Sequence, residues 1–125
     1  MHVFLADFGL SRILSDCNVV GSTTMRAGTP GFQAPEQLQG KEISPKCDVY
    51  ALGGVITEVF GEKLLWPKMP AHRIMFRVAV EGVFPPTKHL PETIQEVTSL
   101  CFVKSETRAD AATVLAKVLD MFYNK

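Results

Sequence analysis

Gly28-Thr29-Pro30-Gly31-Phe32-Gln33-Ala34-Pro35-Glu36 and, shortly after it, Asp48-Val49-Tyr50-Ala51-Leu52-Gly53 are the two stretches on which the fold turns. The first, punctuated by two glycines and two prolines, reads as loop. The second opens a helix. Ser44-Pro45 supplies the start, because a serine hydroxyl can accept from the free N–H groups of a first turn and proline fits the first helical position. From Cys47 to Phe60 the chain is apolar nearly all round, interrupted only by Asp48, Thr57 and Glu58. Such a helix belongs in a protein interior. Gly61 is placed to end it.

Beyond this helix, Leu64 to Pro70 holds two prolines and the single tryptophan, Trp66, and reads as a connector. Ala71 to Glu81 forms a further helix ending at Gly82, and Phe84 to Leu90, with Pro85-Pro86, is irregular. Pro91 to Phe102 is amphipathic, with Ile94, Val97, Leu100 and Cys101 at helical spacing. The last helix runs from about Asp110, its cap, to Tyr123, with Ala111, Val114, Leu115, Val118 and Phe122 as its apolar face. Before the deciding stretch, His2 to Ala6 suits a short strand. Leu10 to Gln33 lacks periodicity and reads as a long loop of the kind that carries function. The expected class is mainly α, with no evident domain boundary.

Composition narrows the function. The 125 residues are 46% hydrophobic and 21% charged, a globular balance sufficient for one small core. Formal net charge is zero, so there is no electrostatic case for nucleic acid or an anionic membrane surface. The longest apolar run, Val49 to Ile56, is far short of a membrane span, and the N-terminus lacks the pattern of a signal peptide. Cys17, Cys47 and Cys101 are odd in number and widely spaced, which reads as reduced thiols in the cytoplasm. His2, His72 and His89 are isolated, and no Cys/His cluster has zinc-ligand spacing.

Asp7-Phe8-Gly9 follows the apolar strand. An aspartate there can offer a hard carboxylate oxygen to Mg²⁺, and a glycine lets the backbone turn sharply. In order along the chain, Asp7-Phe8-Gly9, then Gly28-Thr29-Pro30-Gly31-Phe32-Gln33-Ala34-Pro35-Glu36, then Asp48-Val49-Tyr50-Ala51-Leu52-Gly53, and finally Arg108 before the last helix resemble the protein-kinase family. The resemblance covers essentially the whole chain. It implies a partial kinase-like C-lobe: strand and DFG in residues 1–9, activation and substrate-docking loop in residues 10–36, helical lobe in residues 37–125.

The resemblance also implies roles. Asp7 would chelate Mg²⁺ bridging the phosphates of ATP, with Phe8 and Gly9 beside it. Thr29 would steady the catalytic aspartate and dock the acceptor residue. Glu36 would pair with Arg108, clamping the docking loop to the lobe. Asp48 would accept backbone N–H groups from the catalytic loop; read alone, it is an acid favoured by a helix N-terminus. Ser22, Thr23 and Thr24 are possible phosphorylation sites whose phosphate could order the loop through Arg12, Arg26 or Arg73. The first motif resembles the serine/threonine type. Gly82, Pro85-Pro86, Leu90-Pro91 and Cys101-Phe102 resemble the tyrosine-kinase-like branch. Phe102 stands where the family has Trp and Ala109 where it has Pro, both mild departures.

The 125 residues contain no Gly-rich phosphate loop, no strand lysine paired to a helix glutamate and no H-R-D-like catalytic loop. The isolated chain is therefore expected neither to bind ATP tightly nor to transfer phosphate. Its partners would be a protein substrate and the N-terminal part of the catalytic domain. Without that part, an apolar face of the interior helix, and Asp48 with it, should be exposed. The competing reading is a kinase-derived binding module without catalysis.

Overall fold

The computed structural model describes Phe4 and residues 30–123. Among these residues the architecture is helical throughout, with no strand: α1 (Pro35–Leu38), α2 (Lys46–Gly61), α3 (Ala71–Ala79), α4 (Glu92–Cys101) and α5 (Ala111–Tyr123). Apart from Phe4, the expected strand lies outside the described residues, as does most of the expected loop.

Helix α2 is the axis on which the rest is laid. It begins as the sequence indicates, with Ser44 Oγ accepting the Lys46 N–H at 3.3 Å and Pro45 at the cap position. It also ends where the sequence indicates, at Gly61, although not with glycine in the capping conformation. Gly61 is the last helical residue, and it is Glu62 that takes the left-handed conformation, at φ 55°. The Glu62 N–H still closes on the Glu58 carbonyl at 3.1 Å, which offsets the strain of a non-glycine there.

One side of α2 is closely packed. Cys47, Val49, Tyr50, Gly53, Gly54 and Thr57 are buried. The paired glycines explain how. A Cβ on Gly53 would lie 2.6 Å from the Cys101 Cβ, and one on Gly54 would lie 2.5 Å from the Phe32 ring. Helix α4 and the loop segment around Phe32 therefore approach the α2 backbone more closely than any side chain allows. Glycine in a helix interior costs roughly 0.5–1 kcal/mol relative to alanine. That cost is offset here by the contact it permits. Thr57, the polar residue in this interior, satisfies itself by donating to the Gly53 carbonyl at 2.8 Å. Glu58 turns its carboxylate to the Leu65 N–H at 2.9 Å and so fixes the connector that follows the helix.

The other side of α2 carries Asp48, Leu52, Val55 and Val59, spaced as one helical stripe, and all are exposed; Val59 reaches 65%. The helix that reads as apolar all round is thus buried on one side only among the described residues. Helix α5 shows the same division. Val114 is buried, and Val118 and Met121 pack against the core, but Leu115 and Phe122 are each 58% exposed. Ala111 is exposed too, so only part of the expected apolar face of α5 faces inward. Asp110 caps this helix, its Oδ1 accepting the Thr113 N–H at 2.8 Å. Hydrogen bonding from the Thr113 side chain, and then from its backbone N–H, lowers the Asp110 pKa. Helix α4 packs along α2 and presents Ile94, Val97 and Cys101 to the core.

Candidate functional site: a buried clamp between loop and helices

Glu36 and Arg108 are separated by most of the described chain, yet their side chains meet in the interior. Helix α1 places Glu36. Pro35 occupies its start, and Gln37 Oε1 accepts the Ala34 N–H at 2.8 Å, holding a turn too short to be stable alone. Arg108 sits just before α5, its own N–H bonded to the Lys104 carbonyl at 2.9 Å. Arg108 Nη1 donates to Glu36 Oε2 at 2.6 Å and Nη2 donates to Oε1 at 3.0 Å. This is the two-pronged geometry in which a guanidinium matches a carboxylate best.

Both side chains are taken out of water, with exposures of 0% for Arg108 and 7% for Glu36. A buried charge of this kind is tolerable only when every donor is used. Here it is. Nη1 also donates to the Lys46 carbonyl at 2.9 Å. Nη2 and Nε donate to the Val103 carbonyl at 2.9 and 3.2 Å. All five guanidinium N–H groups thus have acceptors. The Arg108 Cζ also stands 5.1 Å above the Tyr50 ring, whose edge-on neighbour is Phe102 at 5.1 Å.

The carboxylate has a third donor. Cys47, in the first turn of α2, points its Sγ at Glu36 Oε2, 3.3 Å away. Electrostatics follow from this arrangement. Burial by itself would raise the Glu36 pKa; the hydrogen bonds and charge of Arg108 outweigh it and leave the carboxyl below its usual value. Burial, together with the Glu36 charge, pushes the Cys47 thiol up to about 12, so it remains a neutral donor. Burial likewise pushes the Cys101 thiol up to about 11. The Tyr50 hydroxyl is raised by burial as well and has no hydrogen-bond partner among the described residues.

The clamp therefore ties three pieces together: the end of the loop through Glu36, the start of α2 through Cys47 and the Lys46 carbonyl, and the segment before α5 through Arg108. Sequence reasoning singled out the two charged residues and missed Cys47, Tyr50 and the two carbonyls. The available signal was arithmetic: a buried guanidinium has five donors, and one carboxylate cannot use them all. Which carbonyls would answer was not readable.

The remaining singled-out residues are not gathered here. Asp48 is exposed, one residue from Cys47, and makes no hydrogen bond through its side chain to the described residues. Asp7, Phe8, Gly9, Ser22, Thr23, Thr24 and Thr29 lie outside the described residues. Among the described residues, no group of three or more His, Cys, Asp or Glu side chains is arranged to hold a metal. No helix of the described residues is long and apolar enough to cross a membrane. A hollow of about 440 Å³ opens beside Glu36, lined by Lys41, Lys104 and Glu106 among others. Its mixed charges select no ligand.

Comparison with known proteins bears on the same elements. The model of the protein kinase domain family matches residues 1–119. Over 117 residues the chain is 32% identical to mitogen-activated protein kinase kinase kinase 3 of Homo sapiens, covering 91% of this chain and 18% of that protein. It is 29% identical over 118 residues to mitogen-activated protein kinase kinase kinase 7 of Bos taurus, covering 92% of this chain and 19% of the relative. With mitogen-activated protein kinase kinase kinase 20 of Arabidopsis thaliana the identity is 31% over 118 residues, covering 90% and 34%. The chain thus spans between 18% and 34% of the length of these relatives. With a helical lobe built around α2 and a family match that runs through nearly every residue, this chain belongs to the protein kinase domain family and represents part of its catalytic domain.

Proposed function

We propose that these residues are the substrate-docking and helical portion of a serine/threonine protein kinase. The complete protein, acting in the cytoplasm, would move the γ-phosphoryl group of ATP to a hydroxyl of a protein substrate. The P–O bond to ADP breaks, a P–O bond to the acceptor forms, and the hydroxyl proton leaves to a catalytic-loop aspartate that these 125 residues do not contain. Bound Mg²⁺ would neutralise charge on the phosphates, with Asp7 as its ligand from this chain.

What this part of the chain does is positioning, the main means of catalysis in phosphoryl transfer. The observation that carries the reading is the Glu36–Arg108 pair. It fastens the end of the loop containing Thr29 to the start of α2 and to the segment before α5. Thr29 would dock the acceptor, and Ser22, Thr23 or Thr24 would be where phosphorylation orders the loop. The exposed stripe of Asp48, Leu52, Val55 and Val59 would lie against the N-terminal part of the catalytic domain, with Asp48 receiving its N–H groups.

Two experiments test this. The coding sequence upstream of Met1 should encode a Gly-rich loop and an H-R-D motif in frame, and the extended protein should phosphorylate serine or threonine in a general acceptor such as myelin basic protein. An upstream frame without those motifs favours a binding module instead. Calorimetry of the isolated chain with Mg·ATP should show no binding. Micromolar affinity would contradict the assignment of phosphate binding to the rest of the domain.

A further inference from the structure

Trp66 is the one tryptophan, and the clamp does not use it. It lies in the connector between α2 and α3, where Glu58 already pins the neighbouring Leu65 N–H. Its side chain does not go out to solvent; the residue is only 6% exposed. Instead the indole reaches back across the chain to the loop. Trp66 Nε1 donates to the Gly31 carbonyl at 3.3 Å.

Gly31 is shaped to receive it. Its φ of +97° is a conformation that side-chain-bearing residues rarely adopt. A Cβ there would lie 2.8 Å from Trp66 Cδ1, so the indole occupies the space that any other residue would need. The next residue, Phe32, packs against Gly54 of α2. Two residues before Gly31 stands Thr29.

We propose that Trp66 is a positioning residue for protein-substrate docking: it holds Gly31 in its left-handed conformation and so fixes the path of the loop next to Thr29. This deepens the kinase reading and rests on it. Glu58, Leu65 and Trp66 form a mechanical link from the rigid helix to the loop, independent of the Glu36 clamp. Trp66 acts on the acceptor side alone and has no part in holding the nucleotide.

The test uses the complete catalytic domain and the conservative variant Trp66→Phe, which keeps an aromatic ring and removes the indole N–H, with Trp66→Leu as the stronger change. The expected result for Trp66→Phe is an acceptor-protein KM raised about fivefold, the effect of one neutral hydrogen bond, with the KM for ATP unchanged. Trp66→Leu should raise it further. Equal rises in both KM values, or an unchanged acceptor KM in a folded variant, would overturn the proposal. A general loss of folding lowers the active fraction and leaves both KM values alone, so it is distinguishable. Hydrogen exchange gives a readout that does not need activity: the amides of Gly31, Phe32 and Gln33 should lose protection in Trp66→Phe while α4 and α5 keep theirs. Unchanged protection there contradicts the proposal. Absence of phosphoryl transfer in the wild-type domain, with that protection loss present, would sink the kinase reading and leave the loop-holding role of Trp66 standing.

Discussion

The two sides of helix α2 carry almost the same chemistry and have opposite surroundings. On one side Cys47, Tyr50, Gly53, Gly54 and Thr57 are buried, and every polar group among them except the Tyr50 hydroxyl has a partner. On the other side Leu52, Val55 and Val59 stand exposed, with Asp48 at their head. Apolar character alone does not say which side a fold covers. What marks the covered side is the placement of small and hydrogen-bonding residues: glycines where backbones approach, a threonine that bonds its own helix, a thiol against a carboxylate. The open side has bulk and no such devices. It is a surface suited to being covered by large side chains from elsewhere, as the remaining part of the catalytic domain would supply.

The strongest contrast comes from the clamp. Replacing Arg108 with methionine should destabilise the fold by about 3–5 kcal/mol, because Glu36 is left buried and unpaired. Chemical denaturation would measure it. A loss under 1 kcal/mol would place the pair among surface ion pairs, which contribute little. Next in size is the tight side of α2 itself. Gly53→Ala puts a methyl group 2.6 Å from the Cys101 Cβ, and overpacking of this kind typically costs about 1–3 kcal/mol. In an exposed helix the same change would be stabilising, so the sign of the effect, read by thermal melting, reports the close approach of α4.

Acid and alkali should weaken the covered side in separate windows. The Glu36 carboxyl is held below its ordinary value of 4.5, so the folded state binds that proton more weakly than the unfolded chain does. Its contribution is present above pH 4.5 and is lost as pH falls through the lowered value. The Cys47 thiol is raised from 9.0 to about 12. The unfolded chain therefore releases that proton first, and stability should decline from about pH 9 upward. Denaturation midpoints recorded across both windows check the two signs, and Cys47→Ala should flatten part of the alkaline decline.

The smallest effect is expected on the open side. In this chain, Val55→Thr and Val59→Thr should change stability by no more than about 0.5 kcal/mol. They should also reduce association, which light scattering would show, since a contiguous apolar stripe invites it. In the complete catalytic domain the same pair should be clearly destabilising. If both settings respond alike, the stripe is an ordinary surface.

Much of the fold was legible. Helical spacing located α4 and α5, and Asp110 announced the α5 start, because amphipathic period and capping chemistry are local. Helix α1 was not legible, since one turn at Pro35–Leu38 is too short to show a period. That this chain leaves one apolar face of α2 open, with Asp48 on it, was expected, but which residues form that face was not legible, because Leu52, Val55 and Val59 look no different from Val49. The adjacent Gly53-Gly54 held the missing information: two glycines in a helix make sense only where something approaches. At the site, an ordered set of motifs brought out Glu36 and Arg108. The contacts of Cys47 with Glu36 and of Trp66 with Gly31 depend on how distant segments cross, and no local rule encodes that.

A double-mutant cycle between Glu36 and Arg108 reaches the clamp directly. Glu36→Gln, Arg108→Gln and the double variant would each be unfolded in urea and compared with the native chain. If the loop end is locked to the helical lobe by this buried pair, the two single changes overlap and the coupling energy is on the order of 3 kcal/mol. If the effects simply add, within about 0.5 kcal/mol, the two side chains act independently and the lock does not exist.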